Sequence, residues 1–99
     1  MGVKTQVNDG VVNIYIKGNF DISCYDDFNK TLNEHLDSAS KFVIDLSETT
    51  YMDSSALGML LLLREKTGGN PAKIEFTNVT PEVMNILKVA KFDQLFTIV

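Results

Sequence analysis

The chain has 99 residues, 44% of them hydrophobic, and no run approaches the roughly 18 apolar residues that a membrane-spanning helix requires. A single core is usually built from about 100 to 150 residues, so one domain over 1–99 is expected, without separate substrate and cofactor domains. Nine Lys and Arg against thirteen Asp and Glu give 9 − 13 = −4, a balance that repels the phosphate backbone and disfavours nucleic acid as a partner.

The lone Cys24 cannot close an internal disulfide, and Met1 to Thr5 lack the apolar centre of a signal peptide, which predicts a cytoplasmic protein and no membrane association. Met1-Gly2 is similar to the opening of a myristoylation signal. That signal requires Ser or Thr where this chain has Gln6, so lipidation is not expected.

Val3, Thr5 and Val7 alternate with polar residues, as do Val12, Ile14 and Ile16. Asp9-Gly10 between the two runs predicts an antiparallel hairpin, because Gly tolerates the positive φ of a tight turn. Gly18 and Asn19 break the second strand. Asp21 or Ser23 then caps a helix over about 23 to 37, with Phe28, Leu32 and Leu36 at helical spacing. Phe42-Val43-Ile44 with Leu46 is a continuous apolar run, the pattern of a central strand covered on both faces.

Between Ala56 and Leu63 only Gly58 interrupts the apolar residues, and Arg64-Glu65-Lys66 followed by Gly68-Gly69 forms a helix stop. Lys73 to Thr77 alternates as a half-buried strand does, Thr80-Pro81 starts a third helix, and Phe92 to Val99 ends in a turn and a last strand. The predicted order is β-β-α-β-α-β-α-β: an α/β domain with a mixed sheet and helices packed against it.

Chemistry of the enzymatic kind is scarce. His35, the only histidine, lies between Leu32 and Leu36 and reads as a residue at the rim of the core. Cys24 has no His or second Cys near it in sequence and reads as a structural thiol; a thiol or serine hydrolase using Cys24 or Ser55 lacks an evident general base. Asp26-Asp27 point in different directions on a helix and make no metal site, and Gly68-Gly69 lies at a helix end, where its amides do not converge on a phosphate. Asp45 and Asp53 are the remaining candidate carboxylate pair, with a separation that the sequence leaves open.

Tyr51-Met52-Asp53-Ser54-Ser55-Ala56-Leu57-Gly58 stands out, set between a buried strand and an almost wholly apolar helix. Asp53 or Ser54 serves as N-cap, and a hydroxyl at a helix opening can carry a phosphate where the macrodipole favours negative charge. A phosphate adds about −1.5 to −2 charge beside Asp53, which repels a partner surface that accommodates the neutral serine. A helix in a layered domain buries one face, so Met59 or Leu62 is expected to add to an exposed apolar patch near Ser55, unless neighbouring helices cover them.

On these residues the chain resembles a single STAS domain of the bacterial anti-sigma factor antagonist kind. Gly18-Asn19-Phe20-Asp21 is similar to the family's Gly-x-Leu/Phe-Asp, and Asp53-Ser54-Ser55-Ala56-Leu57-Gly58 to its Asp-Ser-Ser-Gly-Leu-Gly, with Ala56 in place of the usual Gly. The resemblance implies a non-enzymatic switch in transcription regulation. The unphosphorylated protein binds an anti-sigma factor that is also a serine kinase of histidine-kinase-like ATPase fold, freeing a sigma factor, and a PP2C-type phosphatase reverses the phosphorylation. It implies Ser55 as acceptor, with Ser54 as second choice, and Asp21, Asp53, Ser54, Ser55, Ala56, Met59 and Leu62 at the partner surface. No cofactor is implied for the domain, ATP and Mg²⁺ belonging to the kinase. The alternative is a STAS interaction module in another signalling pathway, for example biofilm control, with a partner outside any sigma factor system.

Overall fold

A computed structural model describes residues 2–99; Met1, where the lipidation-like Met1-Gly2 opening begins, lies outside the described residues. In chain order the strands and helices are β1 (Val3–Asn8), β2 (Val11–Ile16), β3 (Gly18–Phe20), α1 (Tyr25–His35), β4 (Lys41–Asp45), β5 (Thr49–Met52), α2 (Ser54–Lys66), β6 (Ile74–Thr77), α3 (Pro81–Val89) and β7 (Thr97–Ile98). The predicted α/β order is present, with the short strands β3 and β5 added to it.

The hairpin turns at Asp9 and Gly10, whose φ values of 51 and 79° are the left-handed backbone conformation that a two-residue connection matching the right-handed twist of the strands needs. β1 and β2 pair antiparallel from Asn8↔Val11 to Val3↔Ile16. β4 joins β2 in parallel, followed by β6 and β7, so the main sheet runs β1-β2-β4-β6-β7. Val12, Ile14, Ile16, Phe42, Ile44, Ile74 and Phe76 are all buried on one face of it. The helices supply Phe28, Leu32, Ala56, Met59, Leu60, Leu63, Val83 and Leu87 to the same core. Fully burying a side chain such as Leu60 contributes about 1.5–3 kcal/mol.

The opposite face corrects one expectation. β4 is central, yet its burial alternates, and Val43 lies half-buried between Asn13 and Glu75 in the register. Asn13, Tyr15, Lys41, Asp45, Glu75 and Thr77 share the side that the core does not occupy, and Lys41 forms an ion pair with Glu75 at 2.7 Å. An apolar run of this length does not distinguish a strand covered on both faces from one whose outer side chain is a single Val.

β3 and β5 form a separate two-stranded parallel sheet with Phe20 beside Met52 and a bulge between Gly18 and Asn19. One buried contact ties it to the main sheet: the Thr49 hydroxyl donates to the Ile16 carbonyl at 2.7 Å. Within the pair itself the Gly18 amide donates to the Glu48 carbonyl at 2.9 Å. The neighbouring Ser47 amide is occupied by the Asp45 carboxylate at 2.9 Å, so Thr49 takes the place of the next rung beyond β2. Gly18 adopts a φ of 81°, which a residue with a Cβ resists, and this bends the chain between β2 and β3.

The helix ends follow the expected signals. A 3₁₀ turn over Ile22–Cys24 precedes α1, which therefore begins and ends inside the predicted 23 to 37. Thr80 caps α3, accepting from the Val83 amide at 3.4 Å, with Pro81 in the first turn. At the end of α2 the Gly69 amide bonds the Arg64 carbonyl at 2.9 Å. No helix among the described residues is long and apolar enough to cross a membrane.

Candidate functional site

β3 and β5 lie side by side and in parallel, so the residues that follow them emerge together: Asp21 after Phe20 and Asp53 after Met52. The Asp53 amide donates to the Phe20 carbonyl at 3.4 Å, which fixes the two chain ends at the same level. Each aspartate then caps the helical turn after it. Asp21 Oδ1 accepts from the Ser23 amide at 2.9 Å and the Ser23 hydroxyl at 2.5 Å. Asp53 Oδ1 accepts from the Ser55 amide at 3.0 Å, the Ala56 amide at 3.1 Å and the Ser55 hydroxyl at 2.5 Å.

Of the two capping candidates in each segment, the aspartate is therefore the cap. The matching Asp-x-Ser spacing at Asp21 and Asp53 was readable in the sequence, but only the pairing of two strands too short to predict brings the segments together. The Ser55 hydroxyl, followed by the Ala56 amide, holds the Asp53 carboxyl below its ordinary pKa against a smaller opposing effect of desolvation. A carboxylate so stabilised is a weak proton acceptor. It orients the Ser55 oxygen at the start of α2, where backbone amides and the macrodipole favour negative charge. Ser54 is exposed and makes no such bond, while Ser55 is half-buried.

The apolar surroundings differ from the expectation at two positions. Met59 is only 4% exposed and belongs to the core, and the Ala56 methyl is fully buried, so neither side chain is available to a partner. The cause is the 3.6-residue repeat: Ala56, Met59, Leu60 and Leu63 fall on one face and turn toward the sheet. Leu62 is half-buried and Leu61 is the exposed leucine of α2. Exposed apolar side chains instead adjoin the two aspartates in sequence: Ile22 after Asp21, and Tyr51 two residues before Asp53. Thr50, beside Tyr51, bonds the Asn19 side chain at 3.2 Å across the pair of strands.

The other candidates make no side-chain bond to the two aspartates. Cys24 is buried with its thiol 3.6 Å from the Asn19 carbonyl, His35 is half-buried at the end of α1, and Asp26 and Asp27 are exposed. No cluster of potential metal ligands occurs among the described residues. Asp45 does not pair with Asp53. Burial raises its pKa, but bonds from Ser47 and from Asn78 outweigh that and leave it lowered. A small open recess is lined by Lys4, Tyr15, Lys17, Asp45 and Glu48 among others, and by neither serine of the α2 start.

A mixed sheet with one helix-covered face, and two aspartate-capped turns rising from paired strands, defines an α/β binding domain of the STAS type. The chain belongs to the family described as Mlab, STAS domain, which matches residues 2–99. A STAS-domain containing protein of Pseudomonas aeruginosa strain UCBPP-PA14 is 46% identical over 85 residues, 86% of this chain and 84% of that one. An anti-sigma factor antagonist from Mycobacterium paratuberculosis has the same fold, with a TM-score of 0.82 at 22% identity over 97% of this chain and 82% of that one. So does the Bacillus cell fate determinant SpoIIAA in its phosphorylated form, with a TM-score of 0.75 at 13% identity over 98% of this chain and 90% of that one.

Proposed function

We propose that this domain is a phosphorylation-switched anti-sigma factor antagonist, a binding module and not an enzyme. The observation that carries the reading is the Ser55 hydroxyl, held on Asp53 at the opening of α2 beside the exposed Ser54. Unphosphorylated, the surface around Asp21, Asp53, Ser54 and Ser55 docks an anti-sigma factor that is also a serine kinase of histidine-kinase-like ATPase fold, and a sigma factor is freed. The kinase brings ATP and Mg²⁺ and transfers a phosphoryl group to Ser55, or secondarily Ser54; a PP2C-type phosphatase removes it.

Asp53 explains why the charge matters. Phosphorylation removes the proton that Ser55 shares with Asp53 and puts a group of about −1.5 to −2 against a carboxylate that already occupies the Ser55 and Ala56 amides. Repulsion and the cost of desolvating that charge then oppose docking. One feature favours the second reading, a STAS module serving a partner outside any sigma factor system: the 46% identical relative is described as a STAS-domain containing protein, whereas the anti-sigma factor antagonist from Mycobacterium paratuberculosis shares the fold at 22% identity.

Affinity capture on immobilised Ser55→Ala and Ser55→Asp variants separates the readings. The first predicts that an ATPase is retained by Ser55→Ala and lost with Ser55→Asp. Equal capture by both variants removes the switch, and retention of a transporter or receptor component in place of the ATPase supports the second reading.

A further inference from the structure

β1 forms one edge of the main sheet, and the hairpin determines which of its backbone groups are free. The Lys17 amide bonds the Gly2 carbonyl at 2.7 Å, so residues 2, 4, 6 and 8 turn their N–H and C=O groups toward β2. Val3, Thr5 and Val7 turn theirs outward, and these have no backbone partner among the described residues. Native edges are blunted by proline, bulges, shortness or charge. β1 is six residues long with an unbroken register, no proline and Lys4 as its one charge. The opposite edge, β7, has two residues.

We propose that β1 pairs with β1 of a second copy of this chain, antiparallel about a two-fold axis at Thr5. In that register Thr5 meets Thr5 and Val3 meets Val7, each pair exchanging both hydrogen bonds, so every outward group is satisfied. Val7, 46% exposed, gains a Val neighbour on the side of the sheet that faces α1, where Thr5 bonds Thr31 at 3.0 Å. Lys4 faces Gln6 of the other copy. A shift of one pairing step in one direction puts Lys4 opposite Lys4, and a shift in the other leaves Val3 without a strand partner, so charge and hydrogen bonding select the same register. The two sheets join into one continuous sheet. An interface made from one strand edge lies below the ~1,200 Å² at which stable complexes begin, so the dimer is weak and concentration-dependent.

Sedimentation equilibrium of the full chain from about 1 µM to about 1 mM tests this, since it spans micromolar to millimolar dissociation constants. Three variants read the register. Gln6→Glu places a carboxylate opposite Lys4 twice and tightens the dimer roughly two- to thirtyfold, the effect of two cross-strand ion pairs, and Gln6→Lys weakens it by a similar factor. Val7→Pro removes an outward N–H that β2 does not use, so the hairpin is retained, as circular dichroism checks, while the dimer is lost. Exchange of the Val3, Thr5 and Val7 amides slows as concentration rises. A chain that stays monomeric with and without Gln6→Glu overturns the proposal, as does a dimer indifferent to all three substitutions.

Discussion

Replacing Thr49 by valine tests how the switch segment is held to the rest of the domain. The side chain is 1% exposed, and its hydroxyl donates to the Ile16 carbonyl at 2.7 Å, anchoring the start of β5 to the end of β2. Thr49→Val keeps the shape and removes the donor, so a buried carbonyl loses its bond. That costs about 1–3 kcal/mol, more than the net worth of an ordinary hydrogen bond, because the acceptor stays desolvated. For a domain of this size each kcal/mol lowers the melting temperature by ~4–8 °C. Urea unfolding should show a reduced midpoint at unchanged m, and amide exchange should accelerate at Gly18 and Asp53, the two amides that hold the β3–β5 pair in place. Thr49→Ser retains the hydroxyl and should keep those two amides protected. A Thr49→Val protein as stable as its parent, with Gly18 and Asp53 still protected, refutes the reasoning.

Adjacent leucines on α2 should separate widely. Leu60→Ala, fully buried, should cost about 2–5 kcal/mol, and Leu61→Ala, 43% exposed, less than ~1 kcal/mol, both by chemical denaturation. Asp53 has a lowered folded pKa, so the stability it provides is present above its unfolded value and is lost as pH falls through the folded one. Unfolding midpoints measured from about pH 6 to about pH 2 should therefore decline less steeply in Asp53→Asn, which keeps a capping side chain without the titration. Asp45, lowered in the same sense, leaves a residual slope. Cys24 should react with a thiol reagent only on unfolding, because it is 4% exposed.

What could be read from the residues was local. Asp9-Gly10, the Thr80-Pro81 start and the glycines after α2 specify conformations that few other residues adopt, and each stands where the sequence places it. β3 and β5 were illegible because three and four residues carry no measurable period, and their pairing is a long-range property. The same limit applies to the candidate site. Asp53, Ser54 and Ser55 are apparent as a capped helix start, but the placement of Asp21 beside them depends on the Phe20–Met52 register. On α2 nearly every position is apolar, so composition could not say that Met59 turns inward and Leu61 outward; contact with the sheet decides it.

The central claim is a phosphate on the α2 start, and mapping phosphopeptides across Tyr51 to Arg64 in protein isolated from its own cells, under several growth conditions, addresses it most directly. Phosphate on Ser55, or on Ser54, is expected in at least one condition. Both serines unmodified in every condition would contradict it and leave Asp53, Ser54 and Ser55 as a helix cap alone.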